Sequence, residues 1–249
     1  AIGDAVTKQI GIDNSVFLVN KSFIIDTKLD YDDKKKEVLF KPSSLKVGES
    51  EFTIIGNYLF KEKNLINLKA EGKDTDIQTL LSLMPEETTE KLKQYRSDGD
   101  VFFNLSLTGE ISERKSPLIS VAFGCTNTTL YHPDYKTQIK HANLKGSFAS
   151  PSATDFSNAE LFLSDVNGEL NGQVFNANLS IRKFNDPFVT FDFKGDLDAA
   201  SIFNFYPIAG VTGLEGFLST DISFEGQTSM LNKKAIVQRV KTNGAIVMS

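Results

Sequence analysis

The chain has very few of the side chains that carry chemistry in enzymes. Its 249 residues include one cysteine, Cys125, and two histidines, His132 and His141. One cysteine excludes an intramolecular disulfide, and its neighbours supply no base for a thiol nucleophile, so we expect it to pack as a small apolar residue. The histidines lack the HExxH spacing of zinc enzymes and the partners of a catalytic triad. We therefore predict that the protein is not an enzyme and needs no metal or cofactor.

Charge and hydropathy exclude further classes of protein. The net charge of −5 gives no electrostatic reason to bind nucleic acid. There is no run of 18 apolar residues and no basic leader followed by an apolar stretch, so the sequence predicts neither a membrane helix nor a signal sequence. The chain starts without methionine and stops within a strand-like pattern at residues 243–249, so we expect a segment of a longer protein.

Tryptophan is absent, whereas phenylalanine occurs 20 times. Most of these rings fall on segments that alternate apolar and polar residues, as half-buried strands do. The apolar positions predict one uncharged sheet face, and its candidate residues are Phe52, Ile66, Leu68, Val101, Phe103, Leu105, Leu107, Phe175, Leu179, Val189, Phe191, Phe193, Leu218, Ile222 and Phe224. The alternation leaves open whether this face lines a ligand groove or is the closed core of a sandwich.

Two short segments predict the same kind of helix. In each, an aspartate, Asp76 or Asp198, precedes apolar residues spaced as on one helix face, and a proline, Pro85 or Pro207, follows. The aspartate is placed to accept a hydrogen bond from a backbone N–H at the helix start, and the proline cannot continue the helix. Capping explains these carboxylates without an acid–base or metal role.

The segments around these helices also occur twice. Residues 52–72 align without a gap on residues 175–195, and residues 99–109 align on residues 216–226. The shared unit is two strands, a glycine, a capped helix, a proline and a third strand that runs from glycine to glycine. Self-similarity of this kind is typical of repeat architectures.

The repeats predict how the chain is divided. We expect a first β-repeat unit at residues 1–149 and a second unit, with the start of a third, at residues 150–249. The first unit contains N-terminal strands, including a hairpin of residues 16–19 and 23–25. It also contains an inserted helix after Pro85, where acidic residues come first and basic residues, ending in Arg96, come last, as a helix dipole prefers. The predicted fold is mostly β, a largely antiparallel sheet built from two tandem repeats with short capped helices.

The repeated pattern resembles the C-terminal portion of AsmA-like proteins. The shared features are the glycine, the aspartate-capped helix closed by proline, and the alternating strand between two glycines. The tail also resembles that family, with Glu225, Gly226 and Gln227 followed by residues 230–232 and 241–246. The resemblance covers the chain from about Asp30 to its end and carries no catalytic signature.

The resemblance implies an extended, curved sheet with an apolar concave groove that shields acyl chains, as in chorein-type bridge proteins. The expected function is to hold or conduct phospholipid acyl chains in outer-membrane biogenesis. The expected location is the periplasm, with an inner-membrane anchor outside this sequence. The expected partner is phospholipid or another acyl lipid, and the sequence leaves protein partners open. The alternative is a structural or adhesive β-sandwich protein in which the same face is a closed core.

Overall fold

The computed structural model describes residues 2–6, 10–12, 15–17, 22–48, 50–72, 75–82, 94–134, 137–201, 215–228 and 241–248. The protein is mostly β, with 72% of the described residues in strands. This agrees with the alternating pattern, because phenylalanine, valine, isoleucine and threonine fit a pleated, half-buried surface.

The strands range from 3 to 16 residues in length. The strands are β1 (Ile2–Val6), β2 (Ile10–Ile12), β3 (Ser15–Phe17), β4 (Ser22–Asp26), β5 (Leu29–Asp32), β6 (Glu37–Val47), β7 (Ser50–Leu59), β8 (Asn64–Gly72), β9 (Arg96–Ile111), β10 (Leu118–Tyr131), β11 (Gln138–Ser150), β12 (Glu160–Leu170), β13 (Gln173–Arg182), β14 (Phe188–Asp198), β15 (Phe217–Gln227) and β16 (Lys241–Met248). Helix α1 is Ile77–Ser82. A second helix begins with Ala199, Ala200 and Ser201, which are the residues of it that the structure describes.

Most strands belong to one antiparallel sheet, as the sequence predicted. The order of hydrogen-bonded neighbours is β1-β4-β6-β7-β8-β9-β10-β11-β12-β13-β14-β15-β16, and β5 also pairs with β6. From β6 onward, therefore, each strand along this path pairs with the next strand in the chain. The remaining strands, β2 and β3, pair with each other.

The chain divides into two compact units. Unit 1 comprises residues 1–94, 100–123 and 149–156. Its core contains Val47, Phe52 and Phe103, which are 1%, 3% and 9% exposed. The partly buried side chains packed against this core are Phe23, Leu45, Leu105, Val121 and Phe123.

Unit 2 comprises residues 95–99, 124–148 and 157–249. Many of its most buried side chains are small, including Cys125, Thr128, Ala142, Ala159 and Ala199. Tyr95 and His132 are also buried, and their rings meet edge to face with centroids 5.2 Å apart. Larger apolar side chains of this unit, described below, remain partly exposed.

The pairing register is the same in the two segments that the sequence aligns. In unit 1, Gly72 of β8 lies opposite Phe52 of β7 and Phe103 of β9. In unit 2, Gly195 of β14 lies opposite Phe175 of β13 and Thr220 of β15. The sequence alignment matches Gly72 with Gly195, Phe52 with Phe175, and position 103 with position 220. The aligned positions therefore occupy matching places in two three-stranded groups.

Both helix starts are capped as predicted. The Thr79 backbone N–H donates to Asp76 Oδ1 at 2.6 Å, and the Thr79 hydroxyl donates to Asp76 Oδ2 at 2.9 Å. In the second helix, the backbone N–H of Ser201 donates to Asp198 Oδ2 at 2.9 Å. Each aspartate therefore satisfies a backbone donor that the helix itself leaves without a partner.

Other predictions fail or fall outside the described residues. The N-terminal hairpin is wrong, because β3 pairs with β2 and β4 pairs with β1. Arg96, expected to end the inserted helix, instead begins strand β9. Residues 86–93 of that helix, both closing prolines and residues 234–240 of the segment predicted to begin a third unit lie outside the described residues, and Lys241 begins β16. In the described part of the chain, no helix has both the length and the hydropathy needed to span a membrane.

Candidate functional site

The predicted apolar face can be located from the strand register. Residues directly opposite each other in an antiparallel pair point to the same side of the sheet, and alternate residues along a strand share that side. The candidate residues fall into two groups by this rule, one in each unit.

The unit 1 group lies on β7, β8 and β9. Leu68 lies opposite Leu107, and Phe52 and Phe103 both lie opposite Gly72. The rings of Phe52 and Phe103 meet edge to face with centroids 5.8 Å apart. Val101 is 2% exposed. The remaining members of the group, Ile66, Leu68, Leu105 and Leu107, are partly buried. The unit 1 group is therefore centred on a packed core.

The unit 2 group lies on β13, β14 and β15, and it is less buried. Leu179 lies opposite Phe191, which in turn lies opposite Phe224 on the next strand. Phe193 lies opposite Ile222. Every member with a described side chain is partly buried, and none is fully buried: Phe175, Leu179, Val189, Phe191, Phe193, Ile222 and Phe224. Leu218 pairs through its backbone with Leu197, and its side chain lies outside the described part.

Three rings of this group are stacked in a row. The centroids of Phe175 and Phe193 are 6.0 Å apart with an interplanar angle of 17°. Those of Phe193 and Phe191 are 6.3 Å apart with an angle of 20°. A Cβ placed on Gly195 would lie 2.8 Å from the Phe175 Cβ, so the absence of a side chain there leaves room for this ring. The rings therefore pave a surface of carbon atoms across two strands.

The register adds residues that the sequence prediction missed. Val166 lies opposite Ala177, and Leu163 lies opposite Leu179, so β12 extends the same face. Ile181 lies opposite Val189 and belongs to it too. The pairing of β12 with β13 shifts between Leu163 and Val166. This bulge moves the inward positions by one residue, so strict alternation does not follow β12 through it. A change in the phase of the apolar pattern at Asp165 is the sequence signal for it.

We call this surface the unit 2 face, defined by the residues that register places on one side of β12 to β15. They are Leu161, Leu163, Val166, Gly168, Leu170, Gln173, Phe175, Ala177, Leu179, Ile181, Val189, Phe191, Phe193, Gly195, Thr220, Ile222, Phe224 and Gly226. None of these residues carries a charge. The candidate site is thus an uncharged surface whose large side chains are partly exposed, except Leu170, which is buried.

The other side of the same strands carries their charged residues and most of their polar residues, together with Phe162 and the exposed Val174. Lys194 Nζ lies 3.2 Å from Asp221 Oδ2, and the Ser223 hydroxyl donates to Asp192 Oδ1 at 2.6 Å. Asn176, on the same side, is exposed. The sheet in unit 2 therefore separates an apolar side from a charged side.

The groups that could carry chemistry occupy structural positions. Burial raises the pKa of the Cys125 thiol, which favours its neutral and unreactive form at neutral pH. His132 Nδ1 accepts the backbone N–H of Asp134 at 3.2 Å. Within the described residues, no three His, Cys, Asp or Glu side chains come together as metal ligands. The described arrangement can offer apolar contact, and we assign it no reaction.

No protein-family model, no curated protein and no solved structure matches the chain.

Proposed function

We propose that this chain is a periplasmic segment of an AsmA-like envelope protein and that its apolar face holds or conducts phospholipid acyl chains in outer-membrane biogenesis. In this proposal the sheet is curved, its apolar side is the concave groove, and the two aligned segments are tandem repeats. The protein acts without a cofactor and catalyses no reaction. The observation that carries the proposal is the unit 2 face, which is uncharged and only partly buried.

The burial pattern supports an open surface in unit 2. In a closed core, large apolar side chains are the ones expected to be most deeply buried. Here the fully buried positions include small residues such as Ala142 and Ala159, whereas Phe175, Phe191 and Phe193 retain exposed surface. Apolar surface that is contiguous and keeps partial exposure is what a site for an apolar ligand or partner requires.

The energetics of an acyl chain fit such a surface. Each methylene removed from water contributes about 0.8 kcal/mol, so a chain of about 15 methylenes costs on the order of 12 kcal/mol to leave in water. A carrier must offer continuous apolar contact and needs no reactive group. The paired stretch of β14 from Val189 to Gly195 spans about 20 Å at about 3.4 Å per residue, which is comparable to a long acyl chain.

The matched register supports the repeat. Gly72 and Gly195 each lie opposite the same two aligned positions on the neighbouring strands. Two unrelated groups of strands would have no reason to share this arrangement. In both three-stranded groups, a helix that begins at a capping aspartate lies between the second and the third strand. Repeats that add strands side by side lengthen one surface without any new chemistry.

A closed-core structural protein is the second candidate, and unit 1 favours it. There Val47, Phe52 and Phe103 form a cluster with very little exposed surface. If the unit 2 face were covered in the same way, the protein would be a structural or adhesive β protein. The two candidates differ in how the protein tolerates a charge on the unit 2 face.

Substitution of Phe191 distinguishes the two functions. We expect Phe191→Glu to weaken binding of a fluorescent long-chain fatty acid by about tenfold or more, because a carboxylate in an apolar site is costly to desolvate. The strand signal in far-UV circular dichroism should persist, since Phe191 is only partly buried. The matched control is Asn176→Glu, which puts the same charge on the polar side opposite Lys194. Loss of the strand signal in Phe191→Glu, or unchanged fatty-acid binding, would favour the closed core.

A further inference from the structure

Three neighbouring strands of unit 2 share an unusual backbone feature. Asn127 in β10, His141 in β11 and Asp165 in β12 have φ angles of 48°, 51° and 53°. Left-handed conformations are uncommon outside glycine, and Asn, Asp and His tolerate them best. In β11 the buried or partly buried positions pass from Ile139 to Ala142, and in β12 from Leu163 to Val166. Each such step of three residues is the phase change that a β-bulge produces.

Side chains connect these bulges from strand to strand. His141 Nδ1 donates to Asn127 Oδ1 at 2.8 Å, and the Asn127 backbone N–H donates to Asn143 Oδ1 at 3.0 Å. Asn143 Nδ2 donates to the His141 carbonyl at 2.9 Å and to Asn167 Oδ1 at 2.9 Å. Asn167 Nδ2 donates to the Asp165 carbonyl at 2.7 Å. We call these five residues the polar ladder.

Asn143 is the centre of the polar ladder. Its side-chain oxygen, Oδ1, accepts a hydrogen bond from β10. Its side-chain nitrogen, Nδ2, donates one hydrogen bond within β11 and one to β12. The pattern is partly repeated one strand away, since the Asn143 and Asn167 amides each donate to the carbonyl of the residue two positions earlier. The bulge residue and the asparagine that follows it thus act as one element in β11 and again in β12.

Packing limits the register of these strands. Most of the fully buried residues here are small, namely Gly124, Cys125, Thr128, Ala142, Gly146 and Gly168, whereas Leu170 is large. A slip by two residues keeps the same side of each strand facing inward but exchanges Ala142 for Leu144 and Gly168 for Val166 or Leu170. A Cβ on Gly168 would lie 2.7 Å from Ile139 Cγ2, so a larger residue does not fit at that position. The polar ladder acts on the same register as this packing.

We propose that the polar ladder is a register lock, which fixes the pairing of β10, β11 and β12 through bulges held together by asparagine side chains. The hydrogen bonds of the lock join specific positions, so they form only in the pairing that places Asn127, His141, Asn143 and Asn167 side by side on neighbouring strands. The lock fixes the position of β12 along its neighbour β11. Because β12 is the first strand of the unit 2 face, the lock also positions the start of that face. It does not depend on what that face binds.

The test is Asn143→Leu, which removes all donors and acceptors of the central side chain at similar volume. Hydrogen exchange of the backbone amides at 126–128, 141–143 and 165–167 should become about tenfold faster or more, since several hydrogen bonds are lost. Ile139 and Gly168 are close enough that a Cβ built on the glycine would lie 2.7 Å from Ile139 Cγ2. The NMR cross-strand contact between these two residues should weaken, or their signals should split into those of several conformers. Asn178→Leu, at an exposed position of β13, is the control and should leave both measurements unchanged.

Wild-type exchange and an intact Ile139 contact in Asn143→Leu would overturn the proposal. If that variant does not fold, Asn143→Asp decides, because a carboxylate keeps the acceptor for Asn127 and loses both donated bonds. Exchange at the Asn127 amide should then stay close to that of the wild type, whereas exchange at 165–167 should rise about tenfold. Equal changes at the two places, or no change at either, would show that the ladder does not set the register.

Discussion

At the scale of single residues, the two aspartates explain why short helices form where they do. A helix as short as α1 is unstable alone, because nucleation is costly and few internal hydrogen bonds are gained. Asp76 receives hydrogen bonds from the backbone and the side chain of Thr79, and one from the buried Ser50 hydroxyl at 3.2 Å. The carboxylate therefore ties the helix start to the beginning of β7.

Removing either cap should lower stability by a similar amount. We expect Asp76→Ala and Asp198→Ala each to reduce the free energy of unfolding by about 1 kcal/mol, because one backbone donor per helix loses its acceptor. Chemical denaturation followed by circular dichroism measures this change. Asp98→Ala, at an exposed position in β9, is the control and should be close to neutral. Equal stability of all three variants would show that the caps do not stabilise the fold.

At the scale of strands, close approach between phenylalanine and glycine shapes the unit 2 face. A Cβ on Gly195 would lie 2.8 Å from the Phe175 Cβ and 3.0 Å from its Cα. The second of these atoms belongs to the backbone of β13, which cannot move aside as a side chain can. The narrow space between β13 and β14 at this position thus depends on glycine.

Gly195→Ala should therefore destabilise the protein and disturb the ring stack. We expect a loss of about 1–3 kcal/mol in the free energy of unfolding, the usual cost of inserting a methyl group where no space exists. Denaturant titration measures the loss, and Gly3→Ala is the control, because nothing lies within 4 Å of a Cβ placed there. A neutral Gly195→Ala would mean that the two strands separate freely at this point.

The strands also show which features the sequence could predict. Period-two alternation and the two glycine-to-glycine segments predicted β13, β14 and β15 and which side chains share a face. The caps could be predicted because they depend on residues three positions apart, Asp76 with Thr79 and Asp198 with Ser201. Local rules are enough wherever the interacting residues are close in the chain.

Features that depend on distant partners could not be predicted in the same way. The N-terminal hairpin failed because β4 pairs with β1, and adjacent apolar segments do not specify their partner. The bulge at Asp165 changes the phase of alternation, so part of the unit 2 face on β12 was missed. Alternation also reports that one face is apolar without specifying what contacts it. The aligned segments of unit 1 and unit 2 can therefore differ in burial although both alternate in the same way.

At the scale of the whole molecule, the proposed function requires an apolar β surface that holds a lipid acyl chain. Native mass spectrometry of the protein purified from cells, followed by extraction and identification of lipids, tests it most directly. We expect phospholipid or fatty acid to co-purify with the wild type and with Asn176→Glu, and we expect its occupancy to fall in Phe191→Glu while the strand signal is kept. Wild-type protein that carries no lipid, together with a Phe191→Glu variant that unfolds, would rule out lipid binding and identify the face as a closed core.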